Sequence, residues 1–271
     1  MKILVVGDGH SAIHEVAVAK AFTKLGHQVE AFYWKSYFQS NNPVVRVWQR
    51  AQNKFIYGPT ITSLNNDLLN AAVQFKPALV FIYRGTHVYQ HTLLEMKKML
   101  PSCLIYGYNN DDPFANGHPV WLWRHFLKSV KNYDVMFAYR KHNLDDFLRI
   151  GAKRVELLRS WFIPEINHPI SLSGIEKDKF ECDVVFIGHY EADGRLEFLE
   201  AIVSNGIKLH LYGPGYEWDH LLKKSKVLRD LAPVHLVWNG DYNKALCGAK
   251  IALCFLSKLN RDTYTRRQQI I

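Results

Sequence analysis

The sequence predicts an α/β protein made of two doubly wound, Rossmann-like domains, the second incomplete. Three observations carry this expectation. Short apolar runs that do not alternate, such as residues 78–83, read as parallel strands covered on both faces. Segments of helical periodicity separate these runs, the order expected of a parallel sheet. The cycle breaks off at residues 164–179 and then starts again.

In order, residues 3–6 form a first strand, followed by a glycine turn and a helix over 13–25. Ser11 can cap that helix, Glu15 favours its first turn and Gly26 ends it. Residues 28–34 are the next strand. Leu64, Leu68, Ala72 and Phe75 recur at helical spacing up to Pro77, before the strand at 78–83. Helices near 90–100, 121–130 and 144–150 alternate with strands at 104–108, 135–138 and 155–158, giving six strands in a domain of residues 1–165. Pro164, Pro169, Ser171, Ser173 and Gly174 mark residues 166–179 as a linker. The second domain, 180–271, has strands expected at 183–187, 208–212, 235–238 and 251–256, with a helix over 194–203. A short helix capped by Asp241 runs through Leu246, and Gly248 follows it. Four strands against six make this domain look cut short.

Composition narrows the function. A chain of 271 residues, 48% hydrophobic, can bury a large core, and a net charge of +9 with a pI near 9.3 attracts anions. No block of five or six like charges occurs, so a nucleic-acid tail is not expected. Cys103, Cys182, Cys247 and Cys254 form no CxxC pair and read as reduced thiols of a cytoplasmic protein. No signal peptide and no transmembrane run is visible.

Four motifs bear on chemistry. Gly7-x-Gly9-x-x-Ala12 after the first strand matches a dinucleotide fingerprint, yet the second strand ends in Phe32-Tyr33-Trp34 where that fingerprint wants an acid. His10, His14 and Glu15 accompany this turn, and each also has an ordinary role as turn donor, surface histidine or dipole-favoured acid. Asp111 and Asp112, in Asn109-Asn110-Asp111-Asp112-Pro113, are paired carboxylates suited to a metal or to general-base work, and equally to a turn. In the second domain Gly188 ends a strand, Arg195 opens a helix, and Tyr212-Gly213 repeats the glycine device. Asn260, Arg261, Thr263, Thr265, Arg266 and Arg267 follow the last strand. There they suit a phosphate or diphosphate, or make a solvated basic loop. A further mixture of Arg46, Trp48, Arg50, Lys54, Phe55 and Tyr57 with Trp121, Trp123, Arg124 and Phe126 could stack on sugars, meet a membrane surface or a partner, or be core with snorkelling arginines.

The segment YNKALCGAKIALCFLSKLNRDTYTRR, residues 242–267, resembles the equivalent part of CgeB-type glycosyltransferases. So do Phe186-Ile187-Gly188, Leu211-Tyr212-Gly213 and the Asp-Asp-Pro turn. The resemblance implies the GT-B fold, two Rossmann-like domains facing a cleft. It further implies transfer of a sugar from a nucleotide-diphosphate donor to a glycan, protein or small-molecule acceptor, with no metal and no cofactor. Gly188, Arg195, Tyr212, Gly213, Asn260, Arg261, Thr263, Thr265, Arg266 and Arg267 would hold the donor. Gly7, Gly9 and His10 would face the acceptor, with His14, Glu15, Asp111 and Asp112 as candidate catalytic groups. The family continues with a helix bearing a ribose-binding glutamate, whereas Gln268, Gln269, Ile270 and Ile271 stand here, so the short form is expected to bind its donor weakly. A non-catalytic nucleotide- or partner-binding module and an NAD-type enzyme stay open as alternatives. No nucleic-acid partner is expected, and peripheral membrane contact and homo-oligomerisation are left open.

Overall fold

The computed structural model describes residues 1–266 and divides at Ser160 into two compact units. The first runs β1 (Lys2–Gly7), α1 (Glu15–Lys24), β2 (Gln28–Tyr33), α2 (Pro43–Phe55), α3 (Pro59–Phe75), β3 (Leu79–Tyr83), α4 (Gln90–Met99), β4 (Leu104–Asn109), α5 (Arg124–Ser129), β5 (Val135–Ala138), α6 (His142–Arg149) and β6 (Val155–Leu157). Its six strands are all parallel, in the order β2-β1-β3-β4-β5-β6.

Alternation along β1 covers both faces of the sheet. Leu4 and Val6 join Leu64, Leu68 and Ala72 of α3 and Val80 and Ile82 of β3 in the main core. Ile3 and Val5 point the other way, with Ala19 and Phe22 of α1 packed against their cluster. Because β2 lies on one side of β1 and β3 on the other, the chain reverses its direction of winding between β1 and β3. In an open parallel sheet that reversal leaves a crevice at the carboxyl ends of the two strands.

Helix α1 starts at Glu15, later than the sequence suggests, and Ser11 does not cap it. The N-cap is His14, without a side-chain bond, while Ser11 Oγ accepts from Ile13 N at 3.4 Å. Helix α2 was not expected as a helix. Asn42 caps it by accepting from Val44 N and Val45 N, and Pro43 stands in its first turn. Helix α5 is shorter than the expected 121–130 because residues 119–122 form a turn, closed by Leu122 N donating to Pro119 O at 2.9 Å.

The second unit runs α7 (Gly174–Phe180), β7 (Cys182–Ile187), α8 (Arg195–Ser204), β8 (Leu209–Tyr212), α9 (Gly215–Leu222), α10 (Asn239–Cys247) and β9 (Ala249–Leu253). The parallel sheet order is β8-β7-β9. Val184 and Phe186 pack with Leu199, Leu211 and Trp218 on one face, and Val185 and Ile187 with Phe180 and Ala245 on the other.

Several expectations for this unit need correction. Residues 166–179, read as linker, contain most of α7, whose capping box joins Ser173 and Glu176. Phe180 at its end is buried, so the segment contributes to the core. Residues 235–238 form no strand. His235 O accepts from Gly213 N at 3.1 Å, but no ladder follows, and Leu236 and Trp238 are exposed. The sheet among the described residues therefore has three strands, not four. The strand expected at 251–256 lies at Ala249–Leu253. Asp241 lies inside the first turn of α10, whose N-cap is Trp238, and pairs with Lys179 at 3.1 Å. All four cysteines are free. Among the described residues no cluster of three or more His, Cys, Asp or Glu side chains is placed to hold a metal, and no helix is long and apolar enough to cross a membrane.

Candidate functional site

The crevice between β1 and β3 holds a cavity of ≈ 260 Å³, lined from the turn after β1, the ends of β3 and α2, and Leu122. Glu15 forms one wall. It is fully buried, and its Oε1 accepts from Gly9 N, while Oε2 has no hydrogen-bond partner among the described residues. Loss of hydration raises its pKa above the ordinary 4.5, against the lowering effect of the Gly9 N–H. The two glycines of the turn are needed by this side chain and its neighbour. A Cβ on Gly7 would lie 2.5 Å from Glu15 Cγ, and one on Gly9, where φ is +79, would lie 2.6 Å from Tyr33 Cβ. The glycine turn thus wraps a carboxylate of its own chain. A dinucleotide phosphate would have to displace an acid from Gly9 N, which argues against the NAD-type alternative.

The opposite wall comes from the segment after β3. Arg84 sits at φ +63, a left-handed conformation costly for any residue with a Cβ, and its N–H donates to Tyr108 O at 2.7 Å. This places its guanidinium 2.7 Å from Asp111 and over the Trp123 ring at 5.5 Å, leaving Arg84 Nε buried without a partner among the described residues. His87 is bonded to Thr86 Oγ1 at 2.9 Å and Asn53 Oδ1 at 2.8 Å, and burial pushes its pKa down to about 3, so the ring is neutral. Lys54 adds a second cation at the rim. The cavity is therefore bordered by a buried carboxylate and by a guanidinium that Asp111 pairs, with neutral hydrogen-bonding groups between them. That set suits a hydroxylated ligand from which a proton is withdrawn.

The structure brings some of the expected first-domain residues to this cavity. Glu15 and His10 line it, His10 Nδ1 lying 3.0 Å from Asp8 Oδ2. His14 stacks on Tyr83, centroids 5.3 Å apart, and meets His10 edge-on. Asp111 reaches it through Arg84. Asp112 is placed differently: fully buried, it accepts from Phe114 N, Asn143 Nδ2 and His142 Nε2 and so ties the turn after β4 to α6. Arg84, Thr86 and His87 were missed in the sequence. Their signal was present, since Arg84-Gly85-Thr86-His87 follows a strand of five buried residues at its carboxyl end.

In the second unit the sheet also reverses, between β8 and β9 across β7, and of the expected donor residues Gly188, Tyr212 and Gly213 stand at the carboxyl ends of β7 and β8. Much of their bonding capacity is spent internally. Gly188 N donates to Tyr212 O and Gly213 N to His235 O. A Cβ on Gly213 would stand 2.3 Å from Gly188 O, so close approach of two backbones explains this glycine. Arg195 is buried, forks onto Asp193 with two contacts of 2.7 Å, donates to His189 O, and lies over the Phe186 and Phe255 rings. Burial raises the Tyr212 pKa to about 12. Asn260 and Arg261 belong to a turn in which Asp262 N donates to Ser257 O at 2.9 Å. Thr263 is exposed and Thr265 half-buried, and Arg266 Nε donates to Trp161 O at 2.8 Å. Arg267 lies outside the described residues.

Two parallel α/β units of this kind place the chain in the GT-B fold class. No family model and no curated protein sequence matches it. Among solved structures, the chain is similar to sucrose-phosphate synthase from Thermosynechococcus elongatus (TM-score 0.61, 11% identity, 93% of this chain and 74% of that one). It is also similar to UDP-GlcNAc 2-epimerase from Methanocaldococcus jannaschii (0.54, 11%, 93% and 78%) and to MurG from Acinetobacter baumannii (0.50, 14%, 93% and 70%). At such identities the likeness is one of fold.

Proposed function

We propose that the chain is a sugar-nucleotide-processing enzyme, a glycosyltransferase that accepts its acceptor in the β1–β3 crevice. The observation that carries this reading is the Glu15 carboxylate, buried in the wall of a cavity with one oxygen unpartnered among the described residues, on a GT-B scaffold. Its raised pKa makes it a better proton acceptor than a solvated carboxylate. In the proposed step Glu15 Oε2 takes the proton of an acceptor hydroxyl as that oxygen bonds to the anomeric carbon. The bond from that carbon to the diphosphate breaks, and its electron pair leaves with the diphosphate. Arg84 orients the acceptor, and Asp111 orients Arg84. Arg261, Thr265, Arg266 and Arg267 of the second unit are assigned to the leaving diphosphate, where charge accumulates. The resemblance to CgeB-type enzymes supports that assignment. Gly188 and Arg195 would shape this subsite from behind, since their bonding groups are already occupied.

The test pairs binding with turnover. Uridine or thymidine diphosphate should raise the melting temperature more than NAD does, and a donor-hydrolysis assay should show activity in the wild type. Glu15→Gln should lower kcat about 10²–10⁴-fold with little change in diphosphate binding. A variant as active as the wild type would remove Glu15 from the chemistry. Diphosphate binding with no turnover by the wild type would make the chain a non-catalytic nucleotide-binding module.

A further inference from the structure

Helix α2 is attached to its unit through polar side chains. Gln49 Oε1 accepts from Ser40 N at 3.0 Å, Gln52 Oε1 accepts from Thr60 N at 2.7 Å, and Gln52 is the helix's one buried residue. The apolar side chains of α2 are left in solvent, with Val44 79%, Val47 66%, Trp48 59% and Phe55 46% exposed. At 3.6 residues per turn these residues and Ala51 fall on one face about 100° wide, the width of a face meant for burial. The band continues off the helix. Phe55 meets Trp121 at 5.5 Å between centroids, with Val120 90% exposed next to it in the chain, and Arg124 lies over the exposed Tyr57 ring.

Charge supplies the second observation. Arg46, Arg50 and Lys54 recur every four residues along α2, which contains no acid. The net charge of +9 belongs to this unit. Residues 1–160 hold 20 Lys and Arg against 11 Asp and Glu, whereas 14 of each lie beyond. A solvated basic face would account for the arginines and leave Val44, Val47 and Trp48 without a reason.

We propose that α2 and the adjoining 118–123 loop dock the protein onto an anionic bilayer. The apolar band enters the interface, and Arg46, Arg50 and Lys54 meet the lipid phosphates. A second copy fits less well, because a two-fold contact would set the basic row against itself. Nucleic acid would use the charges but not the aliphatic band. Lys54, Ile56 and Leu122 also line the β1–β3 cavity, so docking brings the bilayer surface to its rim. The proposal does not rest on the transferase reading, and its test needs no turnover.

Sedimentation with phosphatidylcholine vesicles, with and without phosphatidylglycerol, tests it. The full chain should bind the anionic vesicles, with partition falling as salt rises. Arg46→Gln with Arg50→Gln should weaken partition about 30-fold, the equivalent of ~2 kcal/mol for two charges at the surface. Val47→Ser with Trp48→Ser should weaken it as well, and should abolish the part that survives high salt. All four side chains are exposed, so unchanged melting temperatures should accompany these losses. Should a pair melt lower, the salt dependence of the wild type and the single Trp48→Gln variant decide. Equal binding to neutral vesicles, or full binding by both pairs, would overturn the proposal. So would a concentration-dependent dimer lost in Val47→Ser with Trp48→Ser, or tighter binding to a single-stranded oligonucleotide than to vesicles.

Discussion

Glu15 shows how one residue type carries opposite meanings. From sequence it is a dipole-favoured acid in the first turn of a helix and, through the family resemblance, a candidate catalytic group. In the structure it is fully buried and bonded to Gly9 N. Its folded pKa is raised by burial, so its contribution to stability is fully present below about 4.5 and is lost as pH rises through the raised value. Glu15→Gln, which removes the buried charge, should therefore melt above the wild type near neutral pH. The difference should close as pH falls below 4.5. A variant that melts lower at neutral pH would mean that the carboxylate is satisfied as an anion. His87 has the opposite sign. Its pKa falls from 6.5 to about 3, so its contribution is present above 6.5 and is lost as pH drops from there towards 3. Urea midpoints across that window should decline in the wild type and less steeply in His87→Gln. At Gly9 a Cβ would meet both a positive φ and the Tyr33 ring, so Gly9→Ala should cost on the order of 1–3 kcal/mol by denaturant unfolding.

At the scale of elements, the buried strands were legible because β3, covered on both faces, is written as an unbroken apolar run. Helix α2 was not, because its apolar residues face solvent and its anchors, Gln49, Gln52 and Asn53, are polar. Its amphipathic pattern therefore looked like a loose mixture of aromatic and basic residues. Asn42 and Pro43 are its local signals, and Asn42→Ala should cost about 1 kcal/mol of helix stability. Hydrogen exchange confined to residues 43–55 should speed up accordingly, and a uniform effect across the chain would count against a locally capped helix. Helix α9 was hidden by Gly213-Pro214-Gly215, which reads as a turn and does turn before the helix starts. Apolar content alone misled at 235–238, where a strand-like run finds no edge to pair with beyond one bond from Gly213.

At the scale of the molecule, each unit has its own sheet and its own two-sided core. Residues 1–160 alone should accordingly fold with a cooperative thermal transition, and a chain of that length with no transition would show that the unit depends on the rest. The sequence by itself determined the α/β class, the six-stranded first sheet, the restart of the cycle and most strand ends. Those follow from local periodicity, which each segment carries within its own residues. The tertiary structure decided the rest. Winding reversal at β1 and β3 brings Glu15 and Arg84, 69 positions apart in the chain, to one cavity. Packing turned Asp112 and Arg195, expected at ligands, into groups that hold their own loops. Whether a charged side chain meets a ligand or its own backbone depends on which distant residues reach it first, and spacing along a chain does not contain that information.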